Sequence, residues 1–129
     1  MIPVVTSLYA GLLALLYLGI SGWVVRVRVQ QKVMSGDKGD PVMANAMRLH
    51  ANFAEYVPLA VLLMLLAEMQ GAPALAVHVL GAMLLLGRIM HALGMASLPH
   101  KSPLRGGGAL LTFLVLLFGG AANIGHALL

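Results

Sequence analysis

Apolar residues fill four stretches of the chain, and charged residues gather at the joins between them. No Asp, Glu, Lys or Arg occurs from Ile2 to Val25, Tyr56 to Ala67, Gly71 to Gly87 or Gly106 to Leu129. A helix that crosses the hydrocarbon core of a bilayer needs about 20 predominantly apolar residues. The first and fourth stretches reach that length unaided, whereas the second must extend back past Glu55 and the third must continue past Arg88. Both charges are therefore expected at membrane depth. The pattern predicts an all-α integral membrane protein, a four-helix bundle with spans at about 3–34, 41–70, 73–97 and 104–128.

The joins carry turn chemistry. Ser35 to Pro41 is the clearest loop, with Asp40 suited to cap the second helix and Pro41 to open it. Gly71, Ala72 and Pro73 make a tight turn, and Pro99 to Arg105 form the last polar loop. Pro58 lacks an amide hydrogen inside the second span, where a kink would open room for a ligand. The amino terminus has no basic residue ahead of a long apolar run, so it is expected to be a first span rather than a cleaved leader.

With 60% hydrophobic and 9% charged residues and a mean hydropathy of +0.95, the 129 residues leave room for one domain of four spans and little else. Of the eight Lys and Arg, seven lie in or beside the first and third loops. That placement reads as a topology signal and not as a nucleic-acid surface. It predicts loops one and three in the cytoplasm and both termini outside it, with headgroup lipids as neighbours. There is no cysteine, so any sulfur chemistry must come from a ligand. The five histidines show no spacing with carboxylates that would hold a metal.

The chemistry is concentrated in the middle spans. Arg48, Asn52 and Glu55 follow one another at spacings of four and three, which puts them on one helical stripe with Tyr56 beside it. A guanidinium, an amide, a carboxylate and a phenol together suit a small zwitterion. The alternative is an internal Arg–Glu pair that steadies the bundle, although charges inside a span usually face its interior and mark function. In the third span Arg88 and His91 lie one turn apart, with Met95 a turn further, and Glu55 is the expected partner of Arg88.

The run Arg48, Asn52, Glu55, Tyr56 and Pro58 closely resembles the second-helix signature of the MAPEG family, the membrane-associated proteins in eicosanoid and glutathione metabolism, and in particular its small bacterial branch. The resemblance implies a homotrimer with glutathione, as co-substrate, bound between subunits near the cytoplasmic face. It implies a bacterial inner membrane protein in which Arg48, Asn52, Glu55 and Tyr56 hold the tripeptide, Arg28 contributes across the interface, His50 stands in the site where some members use Gln, and Arg88 and His91 complete it. Tyrosines of the eicosanoid-producing members are replaced by His91 and Met95, and Arg105 is the nearest counterpart of the arginine that polarises the sulfur. The implied activity is that of a glutathione-dependent transferase or peroxidase acting on lipophilic electrophiles. Two alternatives stand beside it. One is a noncatalytic glutathione- or lipid-binding membrane protein. The other is a small four-helix transporter, which would be expected to carry a carboxylate in its first helix; this chain has none there.

Overall fold

Asp40 and Pro41 open the second helix as their chemistry predicts. The Asp40 carboxylate accepts the Met43 amide at 2.9 Å, and Pro41 occupies the first turn, where no amide hydrogen is needed. In the computed structural model, which describes residues 2–129, the chain forms α1 (Val4–Gln31), α2 (Pro41–Met69), α3 (Ala74–Met95) and α4 (Ser102–Leu128). All four are long and apolar enough to cross a membrane.

Helix α1 stops at Gln31, short of the expected Met34, because Lys32 turns left-handed (φ 56°) and its amide closes the last turn. The Arg28 guanidinium then holds the turn, donating to the carbonyls of Val33 at 3.2 Å and Gly36 at 3.0 Å. Helix α3 ends at Met95, and α4 begins at Ser102 with Pro103 in its first turn.

Inside the bundle, Leu13 and Ile20 of α1, Phe53 and Met64 of α2, Leu84 of α3 and Val115 of α4 belong to one buried cluster. Leu15, Leu18, Leu62, Leu86, Leu110 and Leu117 point outward and stay exposed. Lipid tails are as apolar as leucine, so burial cannot draw these helices together; close backbone packing must. Glycines supply it between α3 and α4. A Cβ on Gly108 would collide with the Gly87 carbonyl and the His91 backbone, and one on Gly94 would collide with the Arg105 backbone. These contacts fix the register in which His91 and Arg105 meet.

The amino end of α1 has no side-chain cap of its own. Glu68, near the end of α2, supplies one from across the bundle, accepting the Val5 amide at 2.9 Å and the Thr6 amide at 2.7 Å. A carboxylate there also faces the positive end of the helix dipole. Glu68→Leu leaves both amides without an acceptor, at an expected cost of about 1–3 kcal/mol. Hydrogen exchange should then quicken at Val5 and Thr6 while α2 amides near Phe53 stay protected.

Candidate functional site

At about 100° per residue, Arg48, Asn52 and Glu55 fall within about 60° of one another on α2. Together with Ala51, His91 and Met95 of α3 and Arg105 of α4, they line a pocket of about 180 Å³.

Arg88 lies beneath this wall and is only 2% exposed. One of its terminal nitrogens donates to Asn52 Oδ1 at 2.8 Å, its guanidinium lies 5.6 Å from the centre of the Phe53 ring, and its Nε has no partner. The expected partnership with Glu55 is therefore corrected: the packing of α3 on α2 sets Arg88 level with Asn52, and Glu55 is left facing outward. His91, also buried, has its Nδ1 3.4 Å from Arg88 Nη2. An arginine cannot accept a hydrogen bond, so Nδ1 is the acceptor and the ring proton is assigned to Nε2.

The pocket's hydrogen-bonding inventory follows. Arg48, Arg105, the Asn52 amide nitrogen and the His91 Nε2–H can all donate, because the Asn52 oxygen is already taken. Glu55 is the one carboxylate among the lining residues. Two guanidinium groups, Arg48 and Arg105, share the wall with that single acid, and a third, Arg88, is buried beneath it against Asn52. The arrangement fits a ligand with more carboxylates than ammonium groups, the ammonium being met by Glu55. Among the described residues, no three His, Asp or Glu side chains converge as metal ligands.

Other residues singled out in the sequence lie elsewhere. Tyr56 stands beside the wall without lining the pocket, its ring 5.6 Å from that of Phe113 on α4. His50 is about 200° round α2 from Arg48. It faces α1, with Nε2 3.0 Å from Ser21 Oγ and its ring stacked on Tyr17 at 4.8 Å. Arg28 is occupied at the end of α1. The groove beside Pro58, about 320 Å³, lies between α1 and α2 and is lined by apolar side chains including Leu13, Phe53 and Val57, with Tyr17 at its edge; it does not open over the polar stripe.

Arg105 reaches the pocket because the loop before it is tied down. The Lys101 amide donates to the Gly94 carbonyl at 2.8 Å, and Arg105 Nη1 lies 3.0 Å from His100 Nδ1. His100 Nε2 is in turn 2.6 Å from Asn45 Oδ1, and Asn45 Nδ2 donates to the Met95 carbonyl at 2.7 Å. Sequence inspection did not single out Asn45 or His100. The available signal was that Asn45 sits two turns before Asn52 on the same face of α2.

Residues 6–125 match the model of the MAPEG family. The chain belongs to this family. It is similar to inner membrane protein YecN of Escherichia coli strain K12 and to the protein of the same name in E. coli O6:H1 strain CFT073. Each is 48% identical over 90 residues, which is 70% of this chain and 69% of the relative.

In this MAPEG chain the rim of the pocket is open. Glu55 stands midway along α2, about 21 Å from its start, and both Glu55 and Arg48 are exposed on the single subunit. The hydrocarbon core of a bilayer is about 30 Å thick, so a carboxylate at that depth would face lipid unless something covers it.

Proposed function

We propose that this MAPEG protein binds glutathione in a site completed by a neighbouring copy, within a homotrimer, and directs the bound thiolate at lipophilic electrophiles. The observation that carries this reading is the outward exposure of Glu55 midway along a membrane span, with Arg48 exposed two turns before it on the same stripe. Two further features support it. A pocket of about 180 Å³ falls short of the roughly 300–1,000 Å³ of complete small-molecule sites. Arg28 and His50 lie away from the pocket of their own subunit, engaged at the end of α1 and against Tyr17, so within a closed ring only a neighbour's site could draw on them.

Glutathione carries two carboxylates, one ammonium group and a thiol, which suits a wall with an excess of donors and one acid. A free cysteine thiol has a pKa of about 8.5, and each unit of lowering needs about 1.4 kcal/mol of preferential interaction with the thiolate. Arg105, at the loop end of the pocket, is the group placed to provide it. The thiolate then either forms a sulfur–carbon bond with an electrophile that arrives through the bilayer, displacing a leaving group or adding to a polarised double bond, or attacks a peroxide oxygen. In the second case the O–O bond breaks to release an alcohol, leaving a sulfenic acid that a second glutathione converts to the disulfide and water. Calorimetric titration of the purified protein with glutathione, followed by conjugation assays on a panel of hydrophobic electrophiles, tests this directly. Saturable binding and a glutathione-dependent product are expected, and absence of binding would overturn the proposal. A second reading, binding without turnover, is favoured by Met95, which brings no hydrogen-bond donor to the pocket. Binding with no product across the panel would decide for it.

The four apolar helices and the naming of the relatives as inner membrane proteins support placement in a bacterial inner membrane. The distribution of Lys and Arg supports an orientation with loops one and three in the cytoplasm and both termini outside. Single cysteines introduced at Ser35 and at Ala72 of this cysteine-free chain should react from opposite sides of the membrane. Labelling of the Ser35 position from outside would reverse the topology.

A further inference from the structure

We infer that His100 is a positioning residue for Arg105, and that with Asn45 it forms a latch that holds the guanidinium at the pocket. The inference rests on the glutathione reading above, because it gives His100 a role in thiolate formation.

The direction of every bond in the latch is determined by its neighbour. Arg105 can only donate, so His100 Nδ1, 3.0 Å from Arg105 Nη1, must offer a lone pair. A neutral imidazole has one N–H, which is then on Nε2, and it meets Asn45 Oδ1 at 2.6 Å. With its oxygen committed, the Asn45 amide nitrogen donates to the Met95 carbonyl at 2.7 Å. That carbonyl belongs to the last turn of α3, where no helical amide remains to take it. The chain of bonds thus runs from a backbone carbonyl on α3, through a side chain of α2 that is only 8% exposed, to the imidazole and then to the guanidinium on α4.

Two further contacts show that Arg105 is held at its backbone as well. Gly94 lets the Arg105 backbone approach α3 where a Cβ would collide with it, and the Gly94 carbonyl accepts the Lys101 amide. The backbone fixes where the Arg105 side chain begins. Its Nη1 has its hydrogen bond to His100, so the latch fixes where that side chain ends. Arg105 is itself exposed and would otherwise sample many rotamers. A simple loop tie would stabilise the loop and leave the bound thiol unchanged; a positioning residue changes the thiol.

The test uses purified full-length protein and glutathione with the variants His100→Phe, His100→Asn, Arg105→Ala and the His100→Phe/Arg105→Ala double. Affinity is read by calorimetry and the bound thiolate by its ultraviolet absorbance across a pH series. His100→Phe keeps the ring and removes both nitrogens; glutathione affinity should stay within about threefold while the thiolate titration moves up by about one pH unit, a tenfold loss of thiolate at neutral pH. His100→Asn keeps an acceptor close to the position of Nδ1 and should recover most of that loss. The double variant should be no worse than Arg105→Ala alone, because the latch acts only through Arg105. The inference is overturned if His100→Phe leaves the thiolate unchanged, if it abolishes binding outright, if His100→Asn fails to recover the signal, or if the two losses add. Any of these with intact binding by the unaltered protein leaves the glutathione reading standing. No binding by the unaltered protein removes both.

Discussion

Arg48→Met should weaken glutathione binding by about thirtyfold or more in an assembly that still forms. Removing one partner of a desolvated charge pair costs about 2–5 kcal/mol, and each 1.4 kcal/mol is a factor of ten in affinity. Arg48 lines the pocket on the same stripe as Asn52 and Glu55, so its loss takes away a charged donor from a wall that has no substitute in register. A structural role predicts a different outcome. If Arg48 and Glu55 merely steadied each other, replacing them together by Met and Leu would leave binding intact and stability equal or improved, as is often found when apolar residues replace an ion pair. Calorimetry on the single and double variants separates the two accounts, and unchanged affinity in Arg48→Met would remove the proposed site.

Gly108→Leu should have the largest effect on folding. A Cβ alone at this position meets the Gly87 carbonyl and the His91 backbone, so even Gly108→Ala forces α4 away from α3 at an expected cost of about 1–3 kcal/mol. Leucine adds a branched side chain where no space exists, and loss of the folded bundle in detergent is expected. Gly106→Ala is the matched control, because a Cβ there meets nothing within 4 Å. That change should be neutral or stabilising by up to about 1 kcal/mol, from helix propensity alone. Thermal unfolding followed by circular dichroism reads all three. Equal melting temperatures for Gly106→Ala and Gly108→Ala would mean that the α3–α4 contact does not hold the bundle.

Much of the fold is legible because membrane spans announce themselves by length and lack of charge, and because Asp40, Pro41 and Gly71 punctuate the helices through local chemistry. The polar stripe is legible for the same local reason: Arg48, Asn52 and Glu55 share one helix, where spacing alone sets the face. Contacts between helices are not. Whether Arg88 meets Glu55 or Asn52 depends on how far α3 slides along α2, and that follows from packing that no periodicity records. Glu68 escaped notice because the amides it caps, Val5 and Thr6, lie 63 and 62 residues away. Arg105 is displaced from the expected register and still lines the pocket, since the His100–Asn45 bonds draw the loop onto α2.

The central claim is that glutathione occupies a site that exists only where copies of this chain meet. Native mass spectrometry of the purified protein, released from mild detergent in the presence of glutathione, reads assembly and occupancy in one spectrum. The account predicts three chains carrying up to three glutathione molecules, alongside monomers that carry none. Bare trimers across a glutathione titration, or monomers that carry the tripeptide as readily as the assembly, would contradict it.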